Sequence, residues 1–101
     1  MDLPAPTGTP VLAAHAGRVI FSGRRGGYGN LVIVRGEHIL TVYGHNSRLR
    51  VSRGERVDRG DLLAYVGESG NASGPHLHFE TRIWDPGVSG YVAVDPRVFY
   101  R

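Results

Sequence analysis

The sequence predicts an all-β domain, on three observations. Short apolar segments alternate with turn signals along the 101 residues. The longest stretch without glycine or proline, residues 76–85, has ten residues, whereas an average helix has about 11–12. The twelve valines suit the pleated, half-buried surface of strands. Helical bundles, coiled coils and doubly wound α/β folds are therefore disfavoured, and no apolar run reaches the roughly 18 residues of a membrane span.

Six segments are predicted to be strands, and each is bounded by residues that favour turns. They are residues 11–13, 18–22, 31–35, 39–43, 62–66 and 76–83. The segments between them, residues 23–30, 36–37, 53–55 and 67–75, contain glycines that allow tight turns. Residues 84–101 predict a loop followed by a short closing segment. The chain length fits one domain over residues 1–101.

Residues 51–63 indicate the kind of β fold. Val51, Gly54, Val57, Gly60 and Leu62 form a turn-rich run. Similar runs occur in lipoyl-type and barrel-sandwich hybrid domains, so we expect a small antiparallel sheet of that type. The chain contains no lysine, which excludes the carrier chemistry of such domains and also excludes Schiff-base catalysis.

The charged residues predict an affinity for anions but no nucleic-acid motif. All twelve cationic residues are arginines, and the formal net charge is +3 with neutral histidines. They include two local clusters, Arg24 with Arg25 and a second one at Arg48, Arg50, Arg53, Arg56 and Arg59. We interpret both as solvated surfaces. The net charge suits an anionic polymer, but nucleic acid is not predicted as a partner because neither an aromatic RNA-binding motif nor a helix-turn-helix is present.

Two absences limit the chemistry and the location. The chain has no cysteine, so disulfides and thiolate catalysis are excluded. Its first residues do not resemble a secretory signal. We therefore expect either a cytoplasmic protein or a chain whose upstream part lies outside this sequence.

Residues 76–80, His-Leu-His-Phe-Glu, are the most informative stretch. Alternate residues of a strand share a face, so His76, His78, Glu80 and Arg82 should point one way. The other face is predicted to be core: Leu77, Phe79, Thr81 and Ile83. The two imidazoles would lie about 6.5–7 Å apart along the strand, where they could ligate one zinc ion or act beside it. The alternatives are a solvent-facing strand and, for Glu80, a general base or an ion pair with Arg82.

A second candidate is the segment 39–45. Strand alternation places Thr41, Tyr43 and His45 on one face, with Leu40 and Val42 on the other. Such a polar face, ending in His45, could meet the two histidines of residues 76–80 across a sheet. On its own, His45 would be interpreted as a surface histidine.

The glycine-rich segment 26–30, Gly-Gly-Tyr-Gly-Asn, is predicted to be a flexible hairpin tip beside a substrate groove. A phosphate-binding loop would need a following helix, and none is predicted. Tyr28 would contact sugar or peptide in that groove. His15 and His38 have no partner pattern and are interpreted as structural or exposed.

Taken together, these segments resemble the lysostaphin-type (LytM-like) zinc metallopeptidases, which cut peptidoglycan peptides. The matching motifs are residues 6–11, 26–30, 41–45, 51–63 and 74–80. They occur in the order and at the spacing of that family. The resemblance covers residues 2 to about 96, nearly the whole chain.

The resemblance implies an antiparallel β scaffold with a groove over the sheet and Zn²⁺ on the groove floor. Asp2 and His78 match zinc ligands of the family. His45 and His76 match the two catalytic histidines that flank the attacking water and the scissile carbonyl. Along the groove we expect substrate contacts from Tyr28, Asn30 and Tyr43.

The chain departs from the family pattern at one zinc ligand. The family motif is His-x-x-x-Asp, so its histidine belongs four residues before Asp2, ahead of Met1. Catalytic zinc sites use three protein ligands plus water, and two ligands would hold zinc weakly. Either the N-terminal ligand segment is missing from this sequence or the ligand has been lost. Retention of Asp2 and of the three histidines in the motifs favours the first explanation.

The function implied by the resemblance is a zinc-dependent endopeptidase. Its substrates would be peptide bonds in peptidoglycan cross-links or bridges, and its location extracytoplasmic. The alternative is a non-catalytic module that binds peptidoglycan or activates a wall amidase. Zinc stoichiometry would separate the two.

Overall fold

The computed structural model describes residues 2–70 and 72–94, with the backbone alone at Val94. Nine strands and one 3₁₀ turn form in these residues. They are β1 (Asp2–Pro4), β2 (Pro10–Leu12), β3 (Gly17–Arg25), the 3₁₀ turn (Gly26–Tyr28), β4 (Gly29–Arg35), β5 (Ile39–Leu49), β6 (Arg56–Val57), β7 (Leu62–Val66), β8 (His76–Asp85) and β9 (Gly90–Val94). The predicted all-β fold class is confirmed. No helix among the described residues has the length and apolar character needed to cross a membrane.

The strands join one antiparallel sheet whose main order is β1-β8-β5-β4-β3-β6. Strand β2 pairs with β7, which also pairs with β5. One edge of β8 is shared by two strands, because β1 pairs with its first three residues and β9 with its last five. This sharing places Asp2 directly opposite His78.

All six predicted strands are present, and most run further than predicted. The largest difference is β5, which was expected to end at Tyr43 and continues to Leu49. Strands β1, β6 and β9 were not predicted as strands, since the first two are only three and two residues long. The predicted closing segment corresponds to β9 as far as Val94, and residues 95–101 lie outside the described part.

The core lies against one face of the sheet. Leu63 and Ala64 of β7 are fully buried. They belong to one cluster with the buried valines of five strands: Val11, Val19, Val32, Val34, Val57 and Val66. On β8 the predicted alternation holds at the centre, where Phe79 and Thr81 are buried while Glu80 and Arg82 are half-exposed. Leu77 and Ile83, also predicted to be core, are only half-buried. We call the opposite face, which includes His76, His78, Glu80 and Arg82, the outer face.

Tyr43 lies on the core side, which corrects two predictions. Its side chain is 1% exposed, and its ring packs against Phe79 at 5.4 Å between centroids. Its hydroxyl accepts the backbone N–H of Ala14 at 3.0 Å and lies 2.8 Å from the Thr41 hydroxyl. The predicted polar face of β5 is therefore wrong for Thr41 and Tyr43, and so is the predicted groove contact of Tyr43. The reason is that these buried hydroxyls satisfy one another inside the core.

His15 has a structural role, one of the two alternatives predicted for it. Its Nδ1 lies 2.8 Å from the backbone carbonyl of Ala16, and its Nε2 lies 2.8 Å from the Thr41 hydroxyl. His38, in contrast, is exposed and has a φ of 59°. Neither histidine lines the cavity described below.

Replacing Tyr43 with phenylalanine should lower the free energy of unfolding by about 1–3 kcal/mol. The change removes the acceptor of the half-buried Ala14 N–H and leaves the buried Thr41 hydroxyl with His15 as its partner. Urea denaturation followed by circular dichroism measures this. The control is Tyr65→Phe, where no hydrogen bond to the hydroxyl occurs within the described residues. Equal losses in the two variants would contradict the role given to the Tyr43 hydroxyl.

Candidate active site

Three strands bring the four predicted zinc-site and catalytic side chains together. Strand β8 begins with His76 and His78, and β1 places Asp2 opposite His78. His45 lies on β5, with its ring centroid 4.7 Å from that of His76 and 5.9 Å from that of His78. The structure thus brings together the four side chains that the family resemblance assigned to one site, while their roles stay predictions.

The route by which His45 reaches this cluster differs from the prediction. Simple alternation would put its side chain on the core face with Tyr43. Instead, two residues of β5, Gly44 and His45, stand opposite the single residue Leu31 of β4. His45 has a left-handed backbone with φ of 62°. Such a β-bulge re-aims side chains, and it turns the imidazole of His45 toward the outer face.

Gly44 leaves the space that the bulge needs. It lies opposite His78 in the sheet register. A Cβ atom at Gly44 would approach Cδ1 of Tyr28 to 3.2 Å and Cβ of His78 to 3.5 Å. A larger residue would therefore press on the Tyr28 ring, whereas its contact with His78 would be an ordinary one.

A buried amide stabilises the bulge. Asn46 is fully buried, and its Nδ2 donates to the carbonyl oxygens of Tyr43 and Asn30, each at 2.9 Å. The carbonyl of Asn46 accepts from Nδ2 of Asn30 at 3.0 Å and from the Ser69 hydroxyl at 2.6 Å. Sequence analysis missed Asn46 and Ser69, because neither belongs to a recognisable chemical motif. The predicted groove residue Asn30 uses its side-chain amide in this network.

The tautomers of His45 and His76 follow from their partners. Nδ1 of His45 lies 2.7 Å from the Ser69 carbonyl oxygen, and Nδ1 of His76 lies 2.9 Å from that of Gly74. A carbonyl can only accept, so each Nδ1 has the hydrogen and donates it. Each neutral ring therefore has its basic lone pair on Nε2. Nε2 of His76 lies 3.6 Å from Oδ1 of Asp2.

His78 lies between two carboxylates. Its Nδ1 is 2.8 Å from Oδ1 of Asp2, and its Nε2 is 3.3 Å from Oε1 of Glu80. Glu80 also accepts from the Tyr28 hydroxyl at 3.2 Å and from the Arg82 guanidinium at 2.9 Å. The predicted ion pair of Glu80 with Arg82 is thus present. Glu80 therefore connects Tyr28, in the 3₁₀ turn, to His78.

Both carboxyl groups are tuned toward the charged form. A hydrogen bond from His78, helped by the nearby positive charge of the histidines, lowers the pKa of Asp2. Burial raises the pKa of Glu80, but hydrogen bonds from His78 and Arg82 outweigh it, so that the pKa falls below its usual value. Both groups are therefore carboxylates at neutral pH and suit a cationic partner.

A cavity of about 420 Å³ opens beside these groups on the outer face. Its lining residues are Gly27, Tyr28, His45, His78 and Glu80. The Tyr28 ring lies 5.6 Å from the His78 ring between centroids. Tyr28 therefore lies where the sequence predicted a groove contact, whereas Asn30 is not among the lining residues.

The donor set fits zinc in part. Oδ1 of Asp2 and Nδ1 of His78 face each other at 2.8 Å, a hydrogen-bond distance, whereas two ligands of a tetrahedral zinc ion lie about 3.3 Å apart, so the pair would have to open slightly to hold the ion. Glu80 on the other nitrogen of His78 is the usual partner of a metal-binding imidazole. Within residues 2–70 and 72–94, no group of three or more His, Cys, Asp or Glu side chains could hold a metal ion. The described residues thus offer two of the three protein ligands that a catalytic zinc site uses.

Comparison with known proteins identifies relatives of this chain. A family model described as Peptidase family M23 matches residues 1–96. DD-carboxypeptidase/endopeptidase Mpg of Neisseria meningitidis serogroup B is 44% identical over 84 residues, which are 82% of this chain and 19% of that protein. The chain therefore spans about a fifth of the length of this relative.

Two solved structures share the fold. The catalytic domain of the antimicrobial peptidase lysostaphin from Staphylococcus simulans has a TM-score of 0.85 and 28% identity, over 97% of this chain and 74% of that chain. A zinc-containing peptidase from Vibrio cholerae has a TM-score of 0.80 and 31% identity, over 91% of this chain and 28% of that chain. The resemblance predicted from the sequence motifs is confirmed.

Replacing Gly29 with alanine should disturb the site through Ser69. Gly29 has a φ of 66°, and a Cβ atom there would overlap the backbone of Ser69. Because the Ser69 carbonyl accepts Nδ1–H of His45, we expect a loss of about 1–3 kcal/mol in the free energy of unfolding together with a shift of the His45 imidazole NMR signals.

The matched control for Gly29 is Gly74→Ala. No atom lies within 4 Å of a Cβ at Gly74, and its φ lies outside the left-handed region. We expect this variant to unfold like the parent and to keep the His45 signals. Unchanged His45 signals in the Gly29 variant would contradict the proposed path from Gly29 to His45.

Proposed function

This chain belongs to peptidase family M23, and from that premise we propose that it is the catalytic part of a zinc-dependent endopeptidase acting on peptidoglycan cross-links or bridges. The observation that supports this best is the convergence of Asp2, His45, His76 and His78 from three strands. The printed name of the Neisseria relative, a DD-carboxypeptidase/endopeptidase, agrees with this reaction class.

Asp2 and His78 are the residues that would hold the metal. Bound zinc supplies an acidified water and polarises a peptide carbonyl. The part played by this chain is to present the two ligands in their binding states. Asp2 is a carboxylate, and Glu80 accepts from Nε2–H of His78, so that Nδ1 of His78 is left for the metal.

His45 and His76 would handle protons. Because Nδ1–H of each ring donates a hydrogen bond to a backbone carbonyl, each neutral ring can accept a proton at Nε2. The same carbonyls of Ser69 and Gly74 then stabilise the imidazolium that forms. One ring in that state can donate a hydrogen bond to the oxyanion of the tetrahedral intermediate or a proton to the leaving amine.

The 3₁₀ turn between β3 and β4, Gly26–Tyr28, would border the substrate. Tyr28 is fixed by its hydroxyl on Glu80 and by its ring against His78, so its exposed ring edge stays beside the cavity. A peptide lying over the outer face would pass between this ring and the histidines. Peptidoglycan as substrate also requires an extracytoplasmic location, which we propose for the protein.

A metal-binding test uses an N-terminal extension with a histidine four residues before Asp2. We expect the extended chain to bind about one zinc per molecule, because three protein ligands complete the site. Alanine at Asp2 or at His78 should abolish tight binding, and Glu80→Gln should weaken it by about 10–100-fold. Competition with a chelating dye measures these affinities.

The control in that test is Glu37→Gln, which alters an exposed carboxylate remote from the cavity lining. It should bind zinc like the parent. An extended chain that takes up no zinc would refute the metal assignment.

The catalytic assignment predicts that His45→Ala and His76→Ala in the extended chain each lower kcat/KM by about 100-fold or more, the usual contribution of general acid–base groups. Release of peptides from purified peptidoglycan measures this. The matched control is His38→Asn, since asparagine tolerates the left-handed backbone that His38 adopts.

Two results would oppose the endopeptidase. Hydrolysis that survives both histidine substitutions would show that these rings are not the acid–base groups. Zinc uptake and wall binding without any hydrolysis would favour the non-catalytic module instead.

A further inference from the structure

Three arginines lie side by side across three neighbouring strands. Arg18 on β3 stands opposite Arg35 on β4 and, on its other side, opposite Arg56 on β6. We call these three residues the arginine row. Directly opposed residues share one face of an antiparallel sheet, and strands lie about 4.8 Å apart. The row therefore spans about 10 Å.

The arginine row lies on the outer face, together with the catalytic histidines. The same register continues from Arg35 to Leu40 on β5 and from Leu40 to Arg82 on β8. Arg82 and His78 lie on the same side of β8, four residues apart, which corresponds to about 13 Å. A cavity of about 140 Å³, lined in part by Arg25, Leu40 and Arg82, lies between the two ends of this face.

This arrangement has an electrostatic cost that no ion pair offsets among the described residues. Like charges directly opposite one another destabilise a sheet. Arg82 is paired with Glu80, but within residues 2–70 and 72–94 no member of the arginine row forms an ion pair. All three side chains are exposed. Proteins keep such destabilising arrangements where a function needs them.

The row also borders a cleft. A cleft of about 260 Å³ is lined by the three arginines, by Glu37 and by the backbone near Gly17 and Gly36. A Cβ atom at Gly17 would overlap the carbonyl group of Arg35, so glycine permits this close approach. Arg18 is held in place by donating from Nη1 to the Gly54 carbonyl at 2.8 Å.

We propose that the arginine row binds carboxylates of the peptidoglycan peptides, as a second contact with the polymer apart from the histidines. The guanidinium fork matches a carboxylate with two parallel hydrogen bonds. Stem peptides of the wall have free carboxylates, and a polymer lying along the outer face reaches both ends of it. The choice of this polymer rests on the proposed function. The exposed Glu37 at the cleft weakens the attraction.

The test measures sedimentation of the unextended chain with purified peptidoglycan at several salt concentrations. The row variant is Arg18→Gln, Arg35→Gln and Arg56→Gln together. Its matched control is Arg48→Gln, Arg50→Gln and Arg59→Gln, all exposed residues outside the row. Each triple takes the formal net charge from +3 to zero, so that any difference reports the position of the charges and not their number.

We expect the row variant to lose about tenfold or more in affinity, as when charge-assisted hydrogen bonds are removed, and the control to lose about twofold or less. Equal losses in the two triples overturn the proposal, as does a parent chain that does not sediment with peptidoglycan. If the row variant misfolds, Arg35→Gln alone should weaken binding while Glu37→Gln tightens it. If Arg35→Gln leaves binding unchanged or tightens it while Glu37→Gln weakens it, the proposed role of the row is refuted.

The chemistry of the ligand is tested with peptidoglycan whose carboxylates have been converted to amides. The difference between the parent and the row variant should disappear on this material. If it persists, or if soluble polyphosphate displaces the chain more effectively than intact peptidoglycan fragments do, the row binds another anion and the carboxylate assignment is wrong. Failure of the endopeptidase proposal is separate, because sedimentation requires neither zinc nor hydrolysis.

Discussion

The bulge of β5 at His45 is the constraint on which the site depends. A regular strand would send His45 into the core beside Tyr43, where an imidazole could not reach His76. The left-handed backbone at His45 prevents this at a cost of about 1–2 kcal/mol for a residue other than glycine. The buried amide of Asn46 helps to offset the cost, because its Nδ2 donates to the backbone carbonyls of Tyr43 and Asn30 on either side of the bulge.

Two residues, Ser69 and Glu80, each hold two parts of the site in place. Ser69 supports the bulge, because its hydroxyl donates to the Asn46 carbonyl, and it orients the His45 ring, because its own carbonyl accepts from Nδ1 of His45. Glu80 likewise orients His78 and Tyr28 at once. Each imidazole therefore has one nitrogen fixed by the protein framework. In the proposed mechanism, this leaves the other nitrogen of each ring oriented before a ligand arrives, which lowers the reorganisation that the reaction requires.

The sequence predicted the features that follow from local periodicity. It missed those that depend on contacts between residues far apart in the chain. The two faces of β8 follow from alternation and were predicted, as were the six main strands. On β5, alternation misplaced Thr41 and Tyr43, because their hydroxyls pair with each other in the core, and it could not reveal the bulge. Strand β1 is three residues long and pairs with residues 72 to 76 positions later in the chain. Only the family resemblance pointed to Asp2.

The division of the sheet into two faces explains why the histidines and the arginine row both lie on the outer face. The core face is filled by valines and by Leu63, Tyr43 and Phe79. A charged group placed there would lose its water without gaining a partner. Charged and reactive groups can remain available to a ligand on the outer face. Because register fixes their spacing across strands, one extended polymer can meet the histidines and the arginine row together. Two weak contacts on one rigid face then act with a high effective concentration.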